Sequence, residues 1–303
     1  MRVIITGGSG LIGRALVTEL VPAGYEVVVL SRRPQEAQGI LPAGVQVVAW
    51  DGRSAQDWTA LADGARAIVN LAGANIAAGR WTPQLKQAIL QSRLSAGYAV
   101  LQAVQQTVRK PQVVIQASAT GYYGPCGDET VTEDNPAGDD FLARVCEEWE
   151  RSSAPVTELG VRHAVIRIGM VLSREGGAFP RLVVPFRLFI GGPIGDGRQW
   201  FPWIHIADVA SAIRYLIESD GASGAFNLVA PAPVTAREFA HTLGRVMGRP
   251  AVLPVPAVML RLLVGEMAVI LLHGQRAVPK RLLDMGFHFR YAQLEDALRA
   301  LLG

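Results

Sequence analysis

The chain has 303 residues, of which 50% are hydrophobic and 18% charged, a balance that supplies a sizeable core and excludes wholesale disorder. Its 29 basic and 26 acidic residues leave a net charge of +3, and no basic stripe concentrates that excess, so no nucleic-acid partner is expected. Cys126 and Cys146 form neither a disulfide framework nor a CxxC pair, and the histidines do not cluster, so no metal site is expected. The opening MRVIITGGSG is broken by glycines too early for a secretion signal. The lipophilic run VLPVPAVMLRLLVGEMAVILL is interrupted by prolines, Arg261 and Glu266, which argues against transmembrane insertion and makes the cytoplasm the expected location. Composition leaves the oligomeric state open.

In chain order, Val3 to Ile5 predicts a strand, TGGSGLIG a tight turn and ALVTELV a helix. Further strands are expected at Glu26–Leu30, Gln46–Ala49 and Ala67–Leu71, followed by a long helix over residues 83 to 107. Another strand is expected at Gln112–Ala117, a helix at Phe141–Arg151 and a strand at His163–Ile168. This alternation predicts an α/β fold with a Rossmann-like, doubly wound parallel sheet. After Gly169 glycine and proline punctuate the pattern. A helix at Ile206–Glu218, a strand in FNLVA, a helix in TAREFAHTLGRVMG and a mostly helical stretch after Pro250 follow. The expected division is a main dinucleotide-binding region at 1–168 and a smaller, mostly helical substrate-side and C-terminal region at 169–303, with elements around 205–230 returning to the main sheet.

The turn TGGSGLIG places Gly7, Gly10 and Gly13 between a strand and an apolar helix, where glycine permits a tight turn and close approach to a pyrophosphate. Thr6, Gly7, Gly10, Leu11, Ile12 and Gly13 are therefore candidate cofactor contacts. At the end of the second strand, LSRRP offers Ser31, Arg32 and Arg33 where an NAD-selective site often places a carboxylate, so NADP(H) is the expected cofactor. Asn70, Leu71, Ala72 and Gly73 of NLAG and Arg93 of the long helix complete the candidate cofactor set; Arg93 is equally explained by pairing with a neighbouring helix.

In SATGYYG, Ser118, Tyr122 and Tyr123 are candidates for catalysis and substrate binding, the alternative for the tyrosines being an aromatic loop packed under the later chain. Arg198 is a candidate for binding a carboxylate or phosphate, and Trp200 for covering an apolar ligand portion. His205 is expected to organise the substrate-side loop and Asp208 to cap or anchor the next helix.

Taken together, TGGSGLIG, LSRR, NLAG, SATGYYG and GQRAVPKRLLDMGFHF resemble the extended short-chain dehydrogenase/reductase superfamily, most closely an epimerase-like subgroup often labelled cell-division-inhibitor-like, with its short C-terminal domain. The resemblance implies a bound nicotinamide dinucleotide and a substrate pocket beneath the later chain. It also implies a serine or threonine at a strand end, then a tyrosine and a lysine four residues after it, which exchange a proton and hold the nicotinamide ribose. Ser118 matches the first of these. DDFLARVCEEWE, residues 139 to 150, contains neither tyrosine nor lysine: Phe141 and Val145 occupy one alignment of the pair, Leu142 and Cys146 the next. Two functions remain open: an NADP(H)-dependent epimerase-like oxidoreductase acting on a small carbonyl, alcohol or sugar-like substrate by an atypical proton route, or a noncatalytic NADP(H)-binding regulator or assembly protein.

Overall fold

Short runs of β-branched residues with no polar alternation build the sheet. Val3, Ile4 and Ile5 are all fully buried, so this strand has no solvent face and needs cover on both sides. The computed structural model describes residues 1–303. In its first part β1 (Arg2–Thr6), α1 (Leu11–Leu20), β2 (Glu26–Ser31), α2 (Pro34–Ile40), β3 (Gln46–Ala49), α3 (Thr59–Ala62), β4 (Ala67–Asn70), α4 (Pro83–Gln106) and β5 (Val113–Ala119) alternate. Thr82 starts α4 by accepting the Leu85 N–H, with Pro83 in the first turn where a missing N–H costs nothing.

Next come β6 (Thr130–Val131), α5 (Phe141–Ser153), β7 (Arg162–Ile168), β8 (Met170–Leu172), α6 (Phe179–Arg187), β9 (Trp200–Phe201) and β10 (Trp203–His205). The chain then forms α7 (Ile206–Glu218), β11 (Gly224–Leu228), β12 (Val234–Thr235), α8 (Ala236–Met247), α9 (Ala257–Val264), α10 (Val269–Leu272), β13 (Arg276–Ala277), α11 (Lys280–Asp284) and α12 (Leu294–Leu302). Helix α6 is not announced by its sequence, because Pro180 and Pro185 both punctuate it. Pro180 falls in the first turn, where it is tolerated, and Pro185 lies inside a helix of only 9 residues. The strand expected in FNLVA lies two residues earlier, and Ala230 has already left it to donate to the Trp203 carbonyl at 2.6 Å. No helix is long and apolar enough to cross a membrane.

The central sheet has seven strands in the order β11-β7-β5-β4-β1-β2-β3, every pair parallel. Successive connections run one way from β1 to β3 and the other way from β4 to β11. The strand order therefore reverses between β1 and β4, and a crevice opens at their carboxyl ends. Leu16, Val17, Ile213 and Leu216 from α1 and α7 cover one face, and Val100 and Val104 of α4 with Trp58 cover the other. A third apolar cluster, with Phe179, Phe201, Trp203, Phe239, Leu243 and Leu298, ties α6, α8 and α12 together beyond the sheet. Phe201 of this cluster also lines a cavity under the later chain.

Candidate functional site

At the carboxyl end of β1 the backbone turns so tightly that side chains are excluded. Gly7 has φ +68°, and a Cβ there would stand 2.9 Å from the Leu71 carbonyl oxygen; one at Gly13 would stand 2.5 Å from Gly8 Cα. Behind this turn Thr6 Oγ1 donates to Asn70 Oδ1 (2.6 Å) and accepts from the Ala72 N–H, while Asn70 Nδ2 donates to Gln116 Oε1 (2.9 Å). Thr6 and Asn70 are fully buried. They lock the two glycine-bearing loops together and do not face the crevice.

The crevice between these loops holds about 780 Å³ and is lined by Gly7, Gly10, Ser31, Arg32, Arg33 and Leu71 to Ala74, among others. Gly10 precedes α1 without a side-chain cap, so the N–H groups of the first helical turn remain available to an anion. At the far end Arg33 pairs with Glu36 at 3.3 Å, whereas Arg32 is exposed and joins no ion pair. Arg53 also lines this end, a residue not anticipated from the sequence. Its loop after β3 is set by Asp51, whose carboxylate accepts the N–H groups of Arg53 (2.7 Å) and Ser54 (2.9 Å), bonds that hold its pKa below the usual range. The DGRS turn directly after a strand was the available signal.

Arg93 lines neither the crevice nor a second cavity and packs behind Gly73 of the crevice wall. Its Nη1 donates to the carbonyls of Ala74 (3.2 Å) and Ile89 (3.0 Å), and its Cζ lies 4.7 Å from the Trp149 ring centroid. It forms no ion pair with a neighbouring helix, and burial lowers its pKa. A Cβ on Gly73 would approach the Arg93 Cζ to 3.1 Å, so glycine there makes room for the guanidinium. The side chains of Leu11 and Ile12 face elsewhere, Leu11 lining the second cavity and Ile12 packing against the main core, so these two residues offer an anion their backbone N–H groups in the first turn of α1.

That second cavity holds about 350 Å³ under the later chain. Along β5 successive side chains point to opposite faces. Ala119 lines the cavity, whereas Ser118 is buried and donates to Glu150 Oε1 at 2.6 Å. The expectation that Ser118 presents its hydroxyl to a substrate is therefore corrected by one residue, and Thr120 brings the only hydroxyl among the lining side chains. Helix α5 contributes Leu142 and Cys146 to the wall, while Phe141 meets Trp81 edge to face and Val145 is buried. The Leu142 and Cys146 alignment is thus the one that faces the cavity. Burial pushes the Cys146 thiol up to about 11, with the nearby Glu150 charge adding to the effect, so it is a thiol and not a thiolate near neutrality.

Beneath the cavity runs a buried polar network centred on Arg167. Its Nε and Nη2 grip both carboxylate oxygens of Glu150 at 2.9 and 3.0 Å, and Nη1 donates to the Tyr123 hydroxyl at 3.0 Å. Tyr123 donates in turn to Asn227 Oδ1 at 2.7 Å, and the Asn227 N–H reaches Glu133 Oε1 at 2.9 Å. Tyr123 is 3% exposed, and burial pushes its pKa up to about 12. The expectation that Tyr123 serves a substrate is corrected: its hydroxyl both donates and accepts inside the protein. Tyr122 is half-buried, with the Arg167 guanidinium 3.4 Å from its ring centroid, and it lines neither the crevice nor the cavity.

Trp200 does line the cavity, with its indole N–H on Asp128 Oδ1 at 3.0 Å. Arg198 does not: it is exposed, and the cation stacked on Trp200 is Arg276, at 4.7 Å. His205 caps α7 by accepting the Ala207 N–H at 3.1 Å. The fully buried Asp208 accepts the N–H groups of Arg290 (2.7 Å) and Tyr291 (3.0 Å), pinning the chain before α12 to α7.

A glycine-tight turn at the strand-order reversal, an anion-ready helix terminus and an adjoining cavity roofed by the later chain define a dinucleotide-fold protein of the extended short-chain type. The chain belongs to the epimerase family. Residues 3–150 match the NAD dependent epimerase/dehydratase family, and residues 255–301 match a domain of unknown function, DUF1731. It is 40% identical over 305 residues to epimerase family protein YfhF of Bacillus subtilis, spanning 100% of this chain and 98% of that protein. It is 39% identical over 303 residues to mouse epimerase family protein SDR39U1, spanning 99% of each. The crystal structure of human epimerase family protein SDR39U1 (isoform 2) with NADPH has a TM-score of 0.88 to it at 34% identity, covering 99% of both chains. A UDP-galactose 4-epimerase, at 20% identity and a TM-score of 0.72 over 99% of this chain and 97% of that one, shares the fold.

Proposed function

We propose that this protein is an NADP(H)-dependent oxidoreductase that interconverts a small carbonyl compound and its alcohol. The observation that carries this reading is that one turn borders both spaces: the consecutive residues Gly10 and Leu11 line the crevice and the cavity respectively. The crevice fits the cofactor, because its glycines admit a pyrophosphate against the backbone and its far end offers Arg32 and Arg53 to an added phosphate. NADPH bound in the human relative supports the choice. When bound, NADPH supplies a hydride at nicotinamide C4.

The protein's own groups do the rest. The first turn of α1 holds the pyrophosphate, and Arg32 with Arg53 holds the adenosine phosphate. Arg93, between Gly73 on the crevice wall and Trp149 of α5, supplies the cation on the ribose side that the extended family takes from a lysine. Thr120 orients the substrate oxygen with its hydroxyl and relays a proton from water, since no tyrosine lines the cavity. The test is NADPH oxidation by a panel of small carbonyl compounds in wild-type and Thr120→Val protein. A drop in kcat of about tenfold or more at unchanged NADPH affinity is expected for the variant; an unchanged kcat removes Thr120 from the mechanism.

A second reading, noncatalytic NADP(H) binding in a regulator or assembly protein, is favoured by Leu142 and Cys146, which stand where the family's tyrosine and lysine would. Tight NADPH binding with no turnover across the panel, together with a partner interaction that depends on NADPH, would select it.

A further inference from the structure

We infer that the ligand of the 350 Å³ cavity is a small, uncharged and mainly apolar carbonyl compound, not a nucleotide-linked sugar; this rests on the oxidoreductase reading above. The walls are set by Leu142, Met170, Phe201, Val269, Ile270 and Leu271, and no lysine or arginine lines them. A diphosphate leaving water needs cations or a fan of N–H donors, and the nearby cations are either bound within the protein or stand outside the wall. Arg167 is gripped by Glu150 through both carboxylate oxygens. Arg93 does not line this cavity and lies behind Gly73 of the cofactor crevice. Arg198 and Arg276 are exposed outside the wall.

Part of the polar capacity of this mainly apolar lining is also spent within the protein. Asp140, the cavity's one carboxylate, accepts the Ala143 N–H at 2.8 Å as the cap of α5. The Gln275 amide donates to the Gly124 carbonyl at 2.7 Å, and the Trp200 indole to Asp128 at 3.0 Å. Thr120, the Cys146 thiol and the exposed His273 imidazole are the side chains left on the wall to face a ligand, with the second Asp140 oxygen and the Gln275 side-chain oxygen as acceptors. These few groups, set among apolar side chains, suit a small ligand with one carbonyl oxygen better than the hydroxyl-rich face of a nucleotide-linked sugar. The size agrees, since this volume lies at the small end of the range for ligand pockets.

The roof comes from α10, so the C-terminal domain, whose function is unassigned, sets the substrate class by closing the cavity with Val269, Ile270 and Leu271. The ligand is therefore sorted by desolvation, not by charge.

The experiment titrates acetonaphthone, an aryl ketone, and UDP-glucose into the full-length protein saturated with NADP⁺, following thermal stability and calorimetric heat. Acetonaphthone is expected to raise Tm and UDP-glucose, at the same concentration, to leave it unchanged. Ile270→Arg is the second arm. It places a cation in the roof, away from the crevice, and is expected to weaken acetonaphthone binding by about tenfold or more while NADPH fluorescence titration stays within about twofold of wild type. Tighter binding of UDP-glucose than of acetonaphthone overturns the inference, as does acetonaphthone binding that is absent or indifferent to the Ile270 substitution. Failure of NADPH to bind or be oxidised instead strikes the oxidoreductase reading, so the two failures are distinguishable.

Discussion

Cofactor selectivity is the sharpest consequence of the crevice, and Arg32→Ala is the perturbation that isolates it. No carboxylate stands at the end of β2, where Ser31 uses its hydroxyl to accept the Arg33 N–H at 3.1 Å; the two carboxylates that line this end, Glu36 and Asp51, are taken up by Arg33 and by the backbone N–H groups of Arg53 and Ser54. Two charges about 4 Å apart attract by about 1 kcal/mol in bulk water and about 4 kcal/mol at an effective dielectric of about 20. Arg32 is exposed, which puts its contribution towards the lower figure, and Arg53 remains in the variant. A loss of about 1–2 kcal/mol follows, or about 5- to 30-fold in NADPH affinity, with NADH affinity nearly unchanged. Arg33→Ala should cost less, because Arg33 already pairs with Glu36 and its side chain is 77% exposed. Fluorescence titration with both cofactors at low and high salt measures the effect, and the NADPH preference should shrink as salt screens it. An NADPH-to-NADH affinity ratio that Arg32→Ala leaves unaltered would refute the assignment, as would a larger loss in Arg33→Ala.

Three further outcomes follow from the structure. Glu150→Gln strips the partner from Arg167, in a pair whose side chains are only 13% and 6% exposed, and should cost about 3–5 kcal/mol in urea unfolding, whereas Glu150→Leu combined with Arg167→Met should recover most of it. A loss below about 1 kcal/mol would mean that water replaces the carboxylate. His163 and His205 are buried, and their pKa values fall from 6.5 to about 4. The unfolded chain therefore takes up protons first on acidification: stability is full above pH 6.5 and lost progressively down to about pH 4, by about 3 kcal/mol per histidine. His205→Asn keeps an acceptor for the Ala207 N–H but does not titrate, and should remove about half of the loss, leaving the His163 part; a flat wild-type profile would sink this account. Gly13→Ala gains about 1 kcal/mol in helix propensity, but its methyl would meet Gly8 Cα at 2.5 Å and the Gly7 oxygen at 2.6 Å. Overpacking against backbone should cost more than that gain and weaken NADPH binding by about tenfold; wild-type affinity in the variant would show that the turn yields.

What was legible in the sequence is what short-range chemistry dictates. The buried strands announce themselves as apolar runs, and TGGSGLIG carries its meaning because the turn, the helix start and the glycines that need each other are adjacent in the chain. The catalytic end was less legible for a geometric reason. In a strand a shift of one residue exchanges faces, so the serine that residue type selects at the tip of β5 points to Glu150 while Ala119 faces the cavity. Tyr123 finds its partners 44 and 104 residues away, at Arg167 and Asn227, and Arg53 reaches the crevice only because β3 lies beside β2. The same parity explains the cavity's chemistry. Ala119, Leu142 and Cys146 stand on its wall, two of them hydrocarbon and the third held as a neutral thiol by burial. The charged and hydroxylated residues that look catalytic in the sequence have moved one layer inward, into the Glu150, Arg167 and Tyr123 network. There they hold β5, β7 and α5 in register behind the wall, which leaves the wall itself free to be apolar.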